Sequence, residues 1–307
     1  ETGLSLGIDP IPSKTCNWNC VYCQLGRTTP LQVERAEYVG KSEILKEVEQ
    51  ALSILDPGSV NWVTFVGSGE PLLNSKMGEL ISGIREITDL PVAVISNGSL
   101  LSHQKVREEL LIADAVLPSL DAGTANLFRR INRPHPSFSF QQHISGLRDF
   151  RSSYSGRLLL EVMLVQGLND SEEALLHIAE MVEDIPPDEV HISLPERPPA
   201  ESCVRPSDIE GVMRASAILG EFSQVLHPAE GVLVLEDPAT ALETILGVIR
   251  RHPLSEAQLH RALRGQSVRD RADILEKLGS CGQAKSIRRH GSRFWVSSSA
   301  RFPGRIH

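Results

Sequence analysis

Two patterns of apolar residues alternate along residues 4–225. Short continuous apolar runs are typical of strands buried on both faces, and apolar positions repeated every three or four residues are typical of helices packed by one face. The predicted strands are residues 4–8, 60–66, 92–96, 115–119, 158–165 and 190–194. The predicted helices are residues 42–55, with Ser42 as N-cap, and 76–88, 102–113, 124–131, 140–152, 171–184 and 207–221.

Strands that alternate with helices favour a parallel sheet with right-handed crossovers. Six strands are too few for a closed eight-stranded barrel. We therefore predict an α/β fold, a partial (β/α)6 barrel with parallel strands, over residues 1–226.

The rest of the chain has a different organisation. Residues 227–238 contain turn residues and a short apolar run, 232–235, and predict a connector with an edge strand. Three short helices, 239–250, 255–263 and 267–278, precede a hairpin of strands 284–289 and 293–296 that turns at His290-Gly291. This order predicts a small C-terminal winged-helix domain over residues 239–307. Such domains bind nucleic acid or proteins, so the shape alone does not identify the partner.

Charge separates these two parts of the chain. The formal net charge is −8, but residues 239–307 carry +8 and the preceding residues −16. A basic segment on an acidic body indicates either a site for an anionic partner or an ordinary solvated face. The 41% hydrophobic content suffices for a large core, and no segment resembles a membrane span or cleavable signal. Together with sparse cysteines, this predicts a reducing cytoplasm and no membrane partner.

Three cysteines lie in the loop that follows the first predicted strand. Cys16, Cys20 and Cys23 have C-x3-C-x2-C spacing, with Tyr22 directly before the last. Thiolates bind both zinc and iron–sulfur clusters. A structural zinc site needs a fourth ligand that the nearby residues do not offer, and an odd cysteine number disfavours disulfides. Three thiolates suit a four-iron cluster with one iron left open. The remaining cysteines, Cys203 and Cys281, are interpreted as ordinary thiols.

Polar groups also follow each of the predicted strands after the first. The carboxyl ends of parallel strands meet at one rim, where function gathers in α/β folds. The sequence there brings Gly67-Ser68-Gly69-Glu70, Asn97-Gly98, Asp121 and Arg197, and strand 158–165 carries Glu161 and Met163. Taken singly, each has an ordinary explanation as a turn, a helix cap or an ion pair. Their coincidence with the cysteine loop favours a catalytic rim.

These motifs resemble the radical S-adenosylmethionine (SAM) superfamily over residues 4–225. The segments LGIDPIPSKTCNWNCVYC, PSLDAG and LEVMLVQGLND resemble the branch that includes wyosine-base-forming tRNA enzymes and related iron–sulfur oxidoreductases. The resemblance implies a [4Fe-4S] cluster on Cys16, Cys20 and Cys23. It also implies reductive cleavage of SAM to a 5′-deoxyadenosyl radical that abstracts hydrogen from a substrate.

The same resemblance implies SAM contacts. Glu70, with the Ser68-Gly69 backbone, would hold the amino group, and Asn97 and Asp121 would lie near the ribose or methionine end. Glu161 would contact the cofactor, and the backbones of Tyr22, Met163 and Leu194 would flank adenine. An electron donor such as flavodoxin or ferredoxin is implied as a partner.

One feature departs from the archaeal wyosine enzymes, which carry upstream cysteines for a second cluster. This chain shows none, and we expect that some native N-terminal residues precede Glu1.

Three functions are compatible with these sequence features. The first is a radical SAM enzyme acting on RNA, such as a tRNA base. The second is the same chemistry on a protein, peptide or small molecule, including glycyl-radical activation. The third is a non-catalytic iron–sulfur or zinc regulator that binds DNA.

Overall fold

A computed structural model describes residues 4–56, 58–226, 235, 237–289 and 291–302. The chain divides into two compact units. The first comprises Glu1–Asn19, Thr28–Leu194 and Pro206–Leu226, and the second comprises Cys20–Arg27, Pro195–Arg205 and His227–His307. The predicted three-part division of the chain stays a prediction.

The first unit is built on a parallel sheet in which the strands follow one another in chain order. The strands are β1 Ser5–Ile8, β2 Trp62–Phe65, β3 Val92–Ser96, β4 Ala115–Pro118, β5 Arg157–Met163, β6 Glu189–Ser193 and β7 Ser223–Val225. The six predicted strands and the α/β class are confirmed. The prediction of only six strands was wrong, because β7 is a three-residue strand whose SQV sequence carries no apolar run.

Helices connect these strands. They are α1 Lys41–Ile54, α2 Met77–Ile87, α3 Gln104–Leu110, α4 Ala125–Ile131, α5 Phe140–Ser153, α6 Glu172–Asp184 and α7 Ile209–Leu219. Ser42 is not an N-cap: α1 starts one residue earlier, with Gly40 at the cap. The helix predicted over 102–113 is shorter in the structure. Its first predicted residue belongs to a 3₁₀ turn, Ser99–Ser102, and α3 follows that turn.

Apolar burial on both faces explains the strand sequences. Val63, Val94, Val116, Leu160 and Ile192, one on each central strand, are completely buried in a single core with the inner faces of the helices. Hydrophobic burial of this kind stabilises the sheet and leaves polar side chains at the strand ends. The rigid core therefore holds the carboxyl-end loops in place.

The second unit has its own core and sheet. Its elements are α8 Pro238–Arg251, β8 Leu254–Ser255, α9 Glu256–Ala262, α10 Val268–Ser280, β9 Ala284–Arg289 and β10 Ser292–Ser297. The strands pair antiparallel in the order β8-β10-β9. The predicted run 232–234 and His290 lie outside the described residues, and Leu235 is not in a strand. The winged-helix interpretation stays a prediction. No helix among the described residues has the length and hydropathy to cross a membrane.

Candidate active site

The start of the cysteine loop is hydrogen-bonded to the loop that follows β2. Lys14 N donates to Ser68 O at 2.7 Å, and Glu70 N donates to Thr15 O at 2.8 Å. Gly69 permits this approach: a Cβ atom at that position would lie 2.0 Å from Thr15 O. The glycine of the predicted G-S-G-E motif is therefore required for the cysteine loop to pack on the rim.

Two N–H groups point at the sulfur of Cys16. The backbone N–H of Trp18 donates to Sγ at 3.4 Å, and Asn97 Nδ2 lies 3.8 Å from the same atom. Donors of this kind stabilise a thiolate and tune an iron–sulfur cluster. Trp18 itself is 2% exposed and packs edge-on against Phe128 and His143, which anchors the loop in the core of the first unit.

Cys20 and Cys23 belong to the second unit. A turn joins them, in which Cys23 N donates to Cys20 O at 3.2 Å. All three loop cysteines are half-buried, and none forms a disulfide bond with another described residue. No three His, Cys, Asp or Glu side chains within the described ranges are arranged to hold a single metal ion. A four-iron cluster instead presents a separate iron to each thiolate. Thiols that form no disulfide, and the N–H donors around Cys16, fit such a cluster.

Acidic side chains join neighbouring strands along the rim of the first unit. Asp9, after β1, accepts from Ser68 N and Ser68 Oγ at 3.0 and 2.6 Å. Glu161, on β5, accepts from Ser193 Oγ at 2.9 Å. We call Asp9, Glu70, Asp121 and Glu161 the rim carboxylates, because each links its own strand end to the next strand of the sheet.

Glu70 is the most buried of the rim carboxylates, at 1% exposure. Its Oε1 accepts from Leu72 N at 2.9 Å and Ser96 Oγ at 2.7 Å, and its Oε2 accepts from Asn97 N at 2.7 Å. Burial raises the pKa of Glu70 to about 7, against the opposing effect of these donors. The group therefore changes charge near neutral pH.

Asp121 has a comparable internal position. It is 2% exposed; Oδ1 accepts from Met163 N at 2.8 Å, and Oδ2 accepts from Asn132 Nδ2 at 2.5 Å. Asn169 Nδ2 donates to both Asp121 O and Met163 O at 2.9 Å. The carboxylate thus fixes the end of β4 to the end of β5. The resemblance implied a cofactor contact for Asp121, and that role stays a prediction.

The other residues predicted to contact SAM lie on β5, directly after β3 and β6, and in the cysteine loop. Glu161 and Met163 are half-buried on β5, and burial raises the pKa of Glu161. Leu194 directly follows β6 in the first unit, whereas Tyr22 belongs to the second. Asn97 is half-buried, and its Nδ2 donates to Asn17 Oδ1 at 2.7 Å.

Sequence reasoning missed three structural residues of this rim. Asp9 fixes the Ser68 turn, Asn17 links the cysteine loop to Ser99 at 2.8 Å, and Asn169 connects β4 to β5. Asp9 directly follows a strand and Asn17 directly follows a cysteine, which is the available signal, whereas Asn169 lies six residues after the end of β5. The pattern does not show which strand such a side chain bonds.

Comparisons with known proteins agree with this geometry. The Radical SAM superfamily profile matches residues 11–179. A UPF0026 protein of Methanocaldococcus jannaschii is 31% identical over 301 residues, which is 96% of this chain and 92% of that protein. A protein of Brachyspira hyodysenteriae called GTPase Obg is 45% identical over 190 residues, but the match spans 62% of this chain and only 28% of that protein.

A solved structure has the same fold at low identity. A radical SAM methyltransferase from Sphaerobacter thermophilus is 18% identical, with a TM-score of 0.54 over 72% of this chain and 65% of that one. The superfamily uses a [4Fe-4S] cluster and SAM, and the N–H donors around Cys16 fit a cluster-bound thiolate. On the profile match, the near full-length relative and the rim geometry, this chain belongs to the radical SAM superfamily and is an enzyme of that family.

Proposed function

We propose that this enzyme modifies RNA, with a tRNA base as the reacting group, by hydrogen abstraction initiated from SAM. The observation that carries the chemistry is the attachment of Cys16 to the rim through Thr15, Gly69, Glu70 and Asn97. These contacts put a cluster ligand, a titrating carboxylate and an amide donor side by side. A bound cluster would supply the electron that cleaves SAM to methionine and a 5′-deoxyadenosyl radical able to abstract hydrogen from the substrate.

The chain's own residues orient these groups. Cys16, Cys20 and Cys23 would hold three irons. The Oε2 atom of Glu70 accepts one hydrogen bond in the described part of the chain, so its second lone pair suits an N–H donor from the amino group of SAM. The Ser68-Gly69 backbone would share that amino group.

The basic C-terminal segment supports RNA as the substrate. This segment carries a net charge of +8. Its exposed arginines include Arg269 on α10, and Arg288 and Arg293 on the β9–β10 hairpin. The element order helix, strand, helix, helix and hairpin supports a winged-helix interpretation, in which the third helix contacts nucleic acid. Cationic contacts to phosphates would make binding strongly dependent on salt.

The chemistry is tested first without any substrate. Anaerobically reconstituted protein is incubated with dithionite and SAM, and 5′-deoxyadenosine and methionine are quantified. We expect both products from the wild type and neither from Cys16→Ser. An intact cluster spectrum without either product in the wild type would disprove the proposed chemistry.

The substrate is tested with total tRNA from a strain that lacks the enzyme. Incubation with reconstituted enzyme should change the mass of one nucleoside, as measured by mass spectrometry of the digest. Ferredoxin and flavodoxin are compared as electron donors in the same assay. Product formation from SAM with no change in any nucleoside would favour a peptide or small-molecule substrate instead.

A further inference from the structure

A cluster of three side chains in the second unit has no role in the proposed chemistry. Arg197 Nη1 donates to Gln24 Oε1 at 2.8 Å and lies 2.9 Å from His252 Nδ1. Gln24 Nε2 lies 3.2 Å from the same His252 nitrogen. Gln24 directly follows Cys23, and Arg197 comes four residues after the end of β6. We call these three residues the Arg197 cluster.

The partners of the Arg197 guanidinium are neutral. His252 Nδ1 faces two donors and therefore accepts, which places the ring proton on Nε2. Burial, together with the charges of Arg197 and Arg251, lowers the pKa of His252 to about 4. The imidazole is thus uncharged at neutral pH, and the cluster keeps the full positive charge of Arg197.

No carboxylate neutralises that charge within the described residues. Arg197 forms no ion pair there, and Glu196 affects it only from beyond contact distance. Glu201, the other nearby carboxylate in the sequence, pairs instead with Arg27 through two contacts of 2.9 and 2.8 Å. The more exposed Arg27 therefore has a carboxylate partner, whereas the more buried Arg197 has none among the described residues. A partly buried cation without an anion is an unfavourable arrangement in a protein interior.

The free edge of Arg197 has the geometry of an oxyanion site. Its Nε and Nη2 atoms donate no hydrogen bond among the described residues, and neither is sealed from solvent. These two groups form the planar fork that binds phosphate or carboxylate through two parallel hydrogen bonds. Pro195, Pro198 and Pro199 restrict the backbone on both sides, and the Nη1 contacts with Gln24 and His252 orient the fork.

We propose that the Arg197 cluster binds a phosphate group of the substrate. Phosphate is favoured over a carboxylate because the uncompensated charge of Arg197 suits an anion that carries up to two negative charges, and its fork can bind two phosphate oxygens. The assignment of that phosphate to RNA rests on the proposed function. The phosphate site itself rests only on the Arg197 cluster.

Equilibrium dialysis of radiolabelled inorganic phosphate against the full-length, anaerobically reconstituted protein tests the site at constant ionic strength. We expect one saturable phosphate per chain in the wild type. Arg197→Lys, which keeps the charge but loses the fork, should bind at least about tenfold more weakly. Arg197→Gln should lose specific binding. The matched control is Arg27→Lys, because Arg27 is already paired with Glu201; it should bind like the wild type.

Two results would overturn the phosphate site. One is equal phosphate binding by the wild type, Arg197→Lys and Arg197→Gln, with thermal unfolding showing all three folded. The other is displacement of phosphate by acetate at a lower concentration than unlabelled phosphate requires, which would identify a carboxylate site. Competition by tRNA then tests the source: tRNA should displace the labelled phosphate from the wild type. Failure of tRNA to do so, with phosphate still bound at Arg197, would overturn the RNA assignment alone.

Discussion

The Oε2 atom of Glu70 accepts a hydrogen bond from the backbone N–H of Asn97 at 2.7 Å, and this contact joins the ends of β2 and β3. The same carboxylate accepts from Ser96 Oγ and Leu72 N through its other oxygen. A residue expected only to bind the cofactor therefore also fixes the shape of the rim. We expect substitutions at position 70 to change stability as well as the predicted SAM binding.

Glu70→Gln should change how stability depends on pH. Burial raises the pKa of Glu70 from 4.5 to about 7 in the folded protein, so the folded state keeps this proton after the unfolded chain has lost it. Its contribution to the free energy of unfolding is present below pH 4.5 and is lost as the pH rises through 7. Between pH 4 and 8, the wild type should lose on the order of 3 kcal/mol relative to Glu70→Gln. Urea unfolding of the cofactor-free proteins measures this, and parallel pH curves would contradict it.

Gly69→Ala should impair cluster loading. The added Cβ would lie 2.0 Å from Thr15 O, so the cysteine loop must move away from the rim. We expect less iron per chain after reconstitution and weaker SAM binding, measured by iron analysis and equilibrium dialysis. Gly247→Ala is the control, because it lies in α8 with nothing within 4 Å of the added atom. That substitution should stabilise the helix by about 0.5–1 kcal/mol; equal iron content in both variants would refute the steric argument.

The sequence predicted which residues reach the rim but not what they bind there. Strand ends in a parallel sheet must meet, so the positions of Glu70, Asn97 and Asp121 followed from the pattern alone. Their partners depend on which side chains are buried beneath the loops, and that is set by packing between distant segments. The internal contacts of Asp121 are an example: its partners Asn132 and Met163 are 11 and 42 residues away.

Weak local signals account for the other differences. β7 is a strand because it pairs with β6, not because of its own SQV sequence. Likewise, the 3₁₀ turn before α3 follows from the left-handed conformation of Gly98, at φ 75°, beside the Asn97 side chain that accepts from Ser99 N. Pattern analysis misses β7 because pairing with a neighbouring strand decides it, and misses the 3₁₀ turn because a local side-chain contact, not an apolar period, decides it.

Asp121→Ala should destabilise the fold rather than only weaken cofactor binding. It removes the acceptor for Met163 N and for Asn132 Nδ2 in a buried setting, and hydrogen bonds to charged groups contribute about 1.5–3 kcal/mol each. We expect a loss of roughly 3 kcal/mol in urea unfolding, and a smaller loss for Asp121→Asn, which keeps one acceptor.

Asp149→Ala is the control for Asp121, because Asp149 is 55% exposed and pairs with Arg107 at 3.5 Å. Its loss should stay below about 1 kcal/mol. A stable Asp121→Ala protein with weakened SAM binding would instead support the direct cofactor contact.

Arg269→Ala should reduce the salt dependence of RNA binding. Arg269 is exposed on α10 and forms no ion pair in the described part of the chain, so it is available to a phosphate. The slope of log affinity against log salt concentration should fall by about 1. Lys105→Ala, an exposed cation of the acidic body, should leave the slope unchanged. Equal slopes for wild type, Arg269→Ala and Lys105→Ala in filter-binding assays would argue against RNA contact by α10.

The buried carboxylate at position 70 also has a consequence for ligand thermodynamics. Because its pKa is about 7, an amino group that donates to Oε2 must favour the ionised form of Glu70 and displace a proton to the medium. The apparent affinity for SAM should therefore increase with pH across neutrality, and the heat of binding should depend on the ionisation enthalpy of the buffer. An acid buried for structural reasons would in this way make cofactor capture sensitive to the acidity of its surroundings.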